Sequence, residues 1–203
     1  GGNDSGSTSE SDSGDSDSSN DDRGLVIGMF GGYTGPTAFW NTRARQGVEL
    51  AVNEINEAGG INGHEIKVIF ADTEGDKTQA VAAIEKLIKQ DKADIIFGPP
   101  VSGETFAAAP KAEAELTPYI GIVPSASTIP QIGEYVFRVG SLGDYATPML
   151  LEYIIPEENI ESIIYVESLN NDYSRDQKAI VEVTIKDKNI EYSTVSIEDG
   201  DTD

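Results

Sequence analysis

Short apolar runs alternate along this chain with longer segments in which apolar residues recur at helical spacing. Such runs are typical of strands that are buried on both faces of a sheet. The predicted strands lie at residues 25–30, 66–70, 93–97, 119–123 and 136–139. The helical spacing predicts helices around residues 44–55, 81–88 and 107–116. Because alternating strands and helices form parallel sheets through right-handed crossovers, we expect an α/β fold with helices on both sheet faces.

Three local signals refine the helices. Ala58, Gly59 and Gly60 end the first helix as a glycine C-cap would. Asp76 is a predicted N-cap of the second helix, because its carboxylate can accept from a free amide in the first turn. Pro110 falls within the third helix, where its ring removes a hydrogen bond, and it predicts an irregularity there.

The alternation is interrupted at residues 140–144, which contain two glycines and predict a crossover or hinge. It then restarts with a helix near 145–155, a strand at 163–166, a helix near 174–188 and a strand at 190–196. The predicted organisation is a first α/β lobe at 24–139, the hinge at 140–144, and the start of a second α/β lobe at 145–203. Two strands are too few for a stable independent sheet, so we expect the natural polypeptide to continue.

The first residues have a different composition. Residues 1–22 contain only Gly, Ser, Thr, Asp, Asn and Glu, and no apolar side chain. Such a segment cannot offset its ordering entropy by burial. The sequence therefore predicts a disordered Ser/Asp/Gly-rich linker over residues 1–23, which is either a plain flexible tail or a tether to an anchor just upstream of Gly1.

The charge of the chain excludes two classes of partner. There are 36 acidic and 14 basic residues, for a net charge of -22. Nucleic acids and anionic membrane surfaces require basic patches, so neither is an expected partner. This acidity favours a protein adapted to high salt over an ordinary acidic extracellular protein. The chain has no cysteine, which excludes disulfides and thiol catalysis.

Candidate chemistry lies in the loops at the carboxyl ends of the predicted strands, where open α/β sheets bind ligands. These loops span residues 31–40, 71–76, 98–103 and 124–128. Hydroxyl and aromatic groups dominate them: Tyr33, Thr34, Trp40, Asp72, Ser102, Ser125, Ser127 and Thr128. Such groups orient and enclose a small polar ligand but are poorly suited to acid/base catalysis.

The loop at 98–103 joins a buried strand to a helix N-terminus. Free backbone amides and the helix dipole make such a terminus suited to an anion. Ser102 adds a hydroxyl there, and two roles remain open for it: helix N-cap or ligand contact.

Enzyme signatures are missing from the sequence. The Gly-rich segment at 28–32 does not match the dinucleotide fingerprint, and no Walker A lysine motif occurs. The single histidine, His64, lies in a turn, and no nucleophile-elbow pattern is present. Asp72, Glu74 and Asp76 cluster but lack the rest of a calcium loop. We therefore expect no cofactor, no metal and no catalytic residues, and we give low weight to a Rossmann-like enzyme.

Several segments in order carry a resemblance to a known family. They are Thr34-Gly35-Pro36, residues 47–63 with Ala58-Gly59-Gly60-Ile61-Asn62-Gly63, Gln79-Ala80-Val81, Ile96-Phe97-Gly98-Pro99, Pro124-Ser125-Ala126-Ser127, Phe137-Arg138 and Asp172-Tyr173. The chain resembles the branched-chain amino-acid-type solute-binding proteins of ABC importers, over residues 24–203 and about the first half of such a protein. The resemblance implies the type I periplasmic-binding-protein fold: two Rossmann-like lobes joined by a hinge, the second lobe incomplete in this chain.

The resemblance also implies a binding site between the lobes. Ser102 would hold the ligand carboxylate with Ser127 and Thr128, and the carbonyl of Ala126 would accept from the ligand ammonium. Trp40 would form an aromatic wall, and Tyr173 would close over the ligand from the second lobe. Simpler roles stay open: Trp40 as lobe-surface packing and Tyr173 as an ordinary loop aromatic.

The family's pattern differs from this chain at two positions. Gly103 stands where many members have a second hydroxyl residue, and Ser174 where a glycine is usual. The family's acidic partner for the ligand ammonium would lie beyond residue 203.

The resemblance implies an extracytoplasmic receptor that delivers an amino acid, most simply a branched-chain one, to ABC permease subunits. The linker and the acidity together predict a lipoprotein of a salt-adapted archaeon, which touches the membrane only through an upstream lipid anchor. The alternative is a ligand-sensing ectodomain on the same fold. The coding sequence after residue 203 would distinguish them: a second half indicates transport, whereas a membrane span and signalling domain indicate sensing.

Overall fold

The structure, a computed structural model, describes residues 23–140 and 143–198. Its strands are β1 (Val26–Gly31), β2 (Lys67–Asp72), β3 (Ile95–Gly98), β4 (Tyr119–Ile122), β5 (Val136–Val139), β6 (Ser162–Ser168) and β7 (Glu191–Ile197). Its helices are α1 (Ala38–Glu57), α2 (Lys77–Lys89), α3 (Ser102–Ala114), α4 (Gly143–Glu157) and α5 (Asp172–Ile185), with a 3-10 turn at Ile129–Gln131. The predicted alternation of strands and helices is confirmed.

The first five strands form one parallel sheet in the order β2-β1-β3-β4-β5. The register pairs Gly31 with Asp72 and Gly98 with Gly121, so neighbouring strands end at nearly the same level. The loops that follow β1, β2, β3 and β4 therefore leave the sheet at one edge, as the parallel arrangement predicts.

Two clusters of buried side chains cover the two faces of this sheet. The larger packs α2 and α3 against the strands and includes the fully buried Phe30, Ile84, Leu87 and Tyr119. The smaller packs α1 against the opposite face, through Ile27, Val52 and Ile66. Burial of one large aliphatic side chain contributes about 1.5–3 kcal/mol, so these clusters hold the sheet edge, and the loops on it, in place.

The second lobe has two parallel strands, β6 and β7, and α5 packs against β6. Tyr165 on the covered face donates a hydrogen bond to the Ser174 carbonyl of α5 at 2.7 Å. The opposite face is apolar and exposed over the described residues, at Ile164, Val166, Val195 and Ile197. An exposed apolar sheet face of this kind is what an incomplete lobe leaves uncovered.

Two predicted helix signals are confirmed. The Asp76 carboxylate caps α2 by accepting from the Gln79 amide at 2.8 Å. After the C-cap residue Ala58, the backbone of Gly59 and Gly60 takes positive φ values of 104° and 74°, which glycine adopts readily. Pro110 lies inside α3, and the helix continues on both sides of it.

Four helices begin earlier than predicted, among them α3, which starts at Ser102 within the loop predicted at residues 98–103. Helix α1 starts at Ala38, so Trp40 lies in its first turn and not in the preceding loop. Helix α4 starts at Gly143, which assigns Gly143 and Asp144 of the predicted hinge to a helix, and α5 starts at Asp172. Periodicity missed the first turn of α1 because its large apolar side chains, Phe39 and Trp40, are exposed and do not mark a buried face.

Parts of the predicted organisation lie outside the described residues. These are residues 1–22 of the predicted linker, residues 141–142 of the hinge, and residues 199–203. Arg23, the last residue of the predicted linker, is described and donates to the Asp94 carboxylate at 3.0 Å. No helix within 23–140 or 143–198 is long and apolar enough to cross a bilayer.

Gly98, the last residue of β3, provides a test of packing at the sheet edge. A Cβ added there would lie 1.8 Å from the Tyr119 hydroxyl oxygen, whereas a Cβ at Gly47 in α1 would meet nothing within 4 Å. We expect Gly98→Ala to lower the free energy of unfolding by about 1–3 kcal/mol through overpacking. Gly47→Ala, the matched control, should raise it by roughly 0.5–1 kcal/mol. Chemical denaturation measures both, and equal effects would contradict the packing described here.

Candidate ligand-binding cleft

A cleft of about 600 Å³ lies between the two lobes. On the first lobe its lining comes from the loops and helix starts that follow four strands: Thr37, Trp40, Gly75, Lys77, Pro100, Val101, Ser102, Gly103, Glu104, Val123 and Ser125. On the second lobe it comes from residues 170–173, at the start of α5. The cleft thus lies at the edge of the sheet where the sequence analysis predicts ligand binding. Its volume is typical of a small-molecule site.

Three of the six predicted site residues line this cleft. Trp40 and Tyr173 present exposed rings from opposite lobes, with 62% and 43% of their surface accessible. The ring of Phe39 packs edge-on against Trp40 at 4.9 Å between centroids, and the Arg43 guanidinium lies 3.6 Å from the Phe39 ring centre. Phe39 and Arg43 therefore pack beside Trp40, which lines the cleft, whereas Phe39 is not among the described lining residues.

Ser102, the third of these residues, is the first residue of α3 and is almost fully buried. The N-cap is Val101, and no side chain caps this helix. The interpretation of Ser102 as an N-cap is therefore wrong. Its Oγ instead accepts from the Ala126 amide at 3.3 Å, which ties the loop after β3 to the loop after β4. The hydroxyl proton can still be donated to another group.

The other three predicted residues lie in the loop after β4 and are not among the described residues that line the cleft. Ala126 is fully buried, and its carbonyl accepts from Arg138 Nη1 at 3.2 Å. Ser127 donates to Asp176 of α5 from its amide at 3.1 Å and from its hydroxyl at 2.5 Å. Thr128 is exposed and precedes the 3-10 turn. A ligand role for these groups stays a prediction.

The contact of Ser127 with Asp176 shows what this loop can bind. An amide and a hydroxyl converge on one carboxylate, and that carboxylate comes from the second lobe. Charge-assisted hydrogen bonds of this kind are stronger than neutral ones. The predicted carboxylate-binding donors thus hold a carboxylate, but it is one that the protein supplies itself.

A second contact joins the lobes across the cleft. Lys77 of α2 donates to the Asp172 carboxylate at 2.6 Å. Partial burial would raise the pKa of Asp172, but hydrogen bonds from Lys77 and Arg175 outweigh it, and the pKa is lowered below its usual value. A Cβ on Gly103 would lie 2.8 Å from Lys77 Cε and 3.1 Å from Asp172 Oδ2. The glycine that departs from the family's pattern therefore makes room for this ion pair.

Asp72 fixes the loops that lead into the cleft. Its carboxylate accepts from the amides of Tyr33, Thr34 and Glu74 and from the Thr34 hydroxyl, at 2.7–3.3 Å. Burial would raise the pKa of Asp72, but these hydrogen bonds lower it on balance. Asp72, in the acidic cluster of this loop, thus has a structural role. Within the described ranges, no group of three or more acidic, His or Cys side chains is placed to hold a metal.

Sequence reasoning missed four polar residues of this region: Lys77, Glu104, Asp172 and Asp176. Each follows the carboxyl end of a strand, in the first or second turn of a helix, and that position is the signal that could have identified them. Glu104 stands out among them because it is 1% exposed. Its Oε1 accepts from the Thr73 hydroxyl at 2.5 Å, and burial raises the pKa of the Glu104 carboxyl.

The chain is similar in sequence to known proteins. A family model described as periplasmic binding protein matches residues 24–203. An amino acid binding protein of Pseudomonas aeruginosa is 35% identical over 137 residues, which cover 64% of this chain and 35% of that protein.

Solved structures resemble the chain as well. The substrate-binding protein LivJ of Streptococcus pneumoniae, in complex with isoleucine, aligns with a TM-score of 0.82 and 25% identity, over 89% of this chain and 51% of that one. A solute-binding protein of Rhodopseudomonas palustris in complex with 4-hydroxybenzoate aligns with a TM-score of 0.78 and 18% identity, over 88% of this chain and 48% of that one. The chain thus spans about half or less of the length of these relatives. The match over residues 24–203, together with the two-lobed α/β architecture, establishes that the chain belongs to the periplasmic binding protein family.

Proposed function

We propose that this protein is a solute-binding protein that binds an amino-acid-type ligand, with branched-chain amino acids as the leading class, between its two lobes. The observation that carries the proposal is the cleft itself, with Ser102 and the start of α3 on one side and Tyr173 on the other. The family and the fold are those of solute-binding proteins, which are not enzymes.

The first-lobe side of the cleft suits a ligand carboxylate. The first amides of a helix have no intrahelical acceptor, and the helix dipole favours negative charge at this end. Ser102 adds a hydroxyl in the first turn of α3. Trp40 and Tyr173 offer apolar ring faces to the aliphatic part of the ligand. The names of the relatives point to the same ligand class, since they include an amino acid binding protein and a LivJ bound to isoleucine.

The proposed setting is extracytoplasmic, and the proposed partners are the permease subunits of an ABC importer. Membership of the periplasmic binding protein family supports the location. The net charge of -22 disfavours direct contact with anionic lipid. We therefore propose that the protein reaches the membrane only through a lipid anchor upstream of Gly1, and that its acidic surface is an adaptation to high salt. A cysteine codon just upstream of Gly1 in the gene is the test of the anchor.

The ligand class can be tested by calorimetry. The protein expressed from its complete coding sequence is titrated in high salt with branched-chain and other α-amino acids, amides, and aromatic acids such as 4-hydroxybenzoate. We expect heat of binding with at least one branched-chain amino acid, because the cleft combines an anion-binding helix start with aromatic walls. Absence of heat with every α-amino acid would overturn the proposed ligand class.

Removal of the Ser102 hydroxyl tests its contact with the ligand. We expect Ser102→Ala to weaken amino-acid binding by about 1–3 kcal/mol, because a charged carboxylate would lose a hydrogen-bond donor. Thr78→Ala is the control, since Thr78 is exposed on α2 and is not among the residues that line the cleft, and it should change affinity little. Calorimetry gives both affinities, and unchanged binding in Ser102→Ala would limit Ser102 to its bond with the Ala126 amide.

The competition between Asp176 and the ligand for Ser127 gives a further prediction. If Ser127 binds the ligand carboxylate, Asp176 must first leave its amide and hydroxyl. We then expect Asp176→Ala to tighten binding of the amino acid by about threefold to tenfold, in line with one or two charge-assisted hydrogen bonds of modest net value. Asp187→Ala, at an exposed position past the end of α5, removes the same charge and serves as the control. Weaker binding in Asp176→Ala would assign Ser127 to the contact between the lobes.

A further inference from the structure

The ion pair between Lys77 and Asp172 joins the two lobes at the water-exposed rim of the cleft. Lys77 is the first residue of α2 and Asp172 the first residue of α5, and both line the cleft. Their Nζ and Oδ2 atoms lie 2.6 Å apart, with 54% of the lysine side chain and 17% of the aspartate side chain exposed. Because each lobe supplies one partner, the lobes cannot move apart at this point unless the ion pair breaks.

The first lobe by itself does not explain a cation at this position. Lys77 stands at the positive end of the α2 dipole, where a basic side chain is disfavoured. Its ion-pair partner among the described residues is Asp172. Asp172 stands at the start of α5, where the dipole favours an acid, and Arg175 donates to its other carboxylate oxygen. Asp172 is thus held by its own lobe, and Lys77 extends across the cleft to it.

Gly103 leaves the space that this ion pair occupies. It lies in the first turn of α3, and a Cβ built on it would lie 2.8 Å from Lys77 Cε and 3.1 Å from Asp172 Oδ2. Carbon atoms do not approach as closely as 2.8 Å without a shift, so a side chain at position 103 would displace the end of Lys77. The ion pair therefore depends on a glycine at this position.

We propose that Lys77, Asp172 and Gly103 form a salt-sensitive gate of the cleft, in which the ion pair must break before a ligand enters or leaves. Such a gate lowers the fraction of molecules whose lobes are separated. An exposed ion pair is weakened by salt. The gate therefore slows ligand exchange at low salt and releases it at high salt. Its effect on exchange rests on the proposed function, because it takes the cleft as the ligand site.

The kinetic test uses the protein expressed from its complete coding sequence, over a series of salt concentrations at which the wild type stays folded. Stopped-flow fluorescence gives the association and dissociation rates of leucine. At the lowest salt we expect Lys77→Met to raise both rates by similar factors of about twofold to fivefold, in line with the loss of one exposed ion pair. At molar salt the ratio of variant to wild-type rates should approach one. A rise in the dissociation rate alone, unchanged rates, or a ratio independent of salt would overturn the gate.

Lys86→Met is the matched control. Lys86 lies on the same helix, and its Nζ is 2.6 Å from Asp91 Oδ2 with 55% of the lysine side chain exposed. This substitution removes the same charge and an ion pair of the same length and exposure, but one made within the first lobe. Both rates should therefore stay at their wild-type values, and a rise equal to that of Lys77→Met would overturn the gate.

The part played by Gly103 is tested by a double-mutant cycle. Gly103→Ala alone should raise both rates as Lys77→Met does, because its Cβ displaces the lysine. In the Lys77→Met background it should add nothing, since no ion pair is left to displace. Additive effects of the two substitutions would remove Gly103 from the gate.

Hydrogen exchange tests the gate with no ligand added. The Ser127 amide donates to Asp176 of the second lobe at 3.1 Å, so its exchange reports separation of the lobes. At the lowest salt we expect Lys77→Met to speed this exchange about twofold to fivefold, and Lys86→Met to leave it unchanged. Unchanged exchange in Lys77→Met would overturn the gate, whatever the ligand is. A wild-type protein that binds no α-amino acid would instead overturn the proposed function, and the exchange measurement would still decide on the gate.

Discussion

The parallel pairing of β1, β2, β3 and β4 is the constraint on which the cleft depends. Because these strands run in one direction and end at nearly the same level, every polar group that follows them is delivered to one edge. The bond from the Ala126 amide to Ser102 Oγ then fixes the loop after β4 to the helix after β3. Asp72 does the same for the loops after β1 and β2. The first-lobe surface of the cleft is therefore held by the sheet and by side-chain hydrogen bonds within the first lobe, to which Asp176 of the second lobe adds its bonds with Ser127.

Helix α5 of the second lobe meets this surface through one of its sides. Asp172 and Asp176 are four residues apart on α5, so their side chains share a face of the helix. Asp172 pairs with Lys77, and Asp176 accepts from Ser127. Tyr173 lies between them and lines the cleft. The same helical turn thus makes the contacts between the lobes and carries the Tyr173 ring. The position of this ring therefore depends on the position of the second lobe.

The spacing of apolar residues predicted the fold well, because each strand or helix leaves its own spacing in a short segment of the sequence. The N-cap role of Asp76 and the helix-ending role of Gly59 depend only on a few neighbouring residues, and both predictions are confirmed. The site was predicted less fully. Position after a strand identified Ser102 and Trp40 as residues at the sheet edge, and the family resemblance added Tyr173. Neither could show that Val101 is the N-cap position of α3 or that Asp176 occupies the donors of Ser127. In the sequence, Glu104 looks like an ordinary acidic residue in the first turn of a helix, because its burial is visible only in the tertiary structure.

The two contacts between the lobes respond differently to salt. Lys77 is 54% exposed, and exposed ion pairs contribute at most about 1 kcal/mol and are screened within about 3 Å at molar ionic strength. The bonds from Ser127 to Asp176 are half-buried hydrogen bonds at 2.5–3.1 Å, and short hydrogen bonds are much less sensitive to screening. In a protein of net charge -22, high salt also relieves the repulsion between two acidic lobes. The contact that sets the lobe position at high salt is therefore the one made by Asp176, on the donors that a ligand carboxylate would also use.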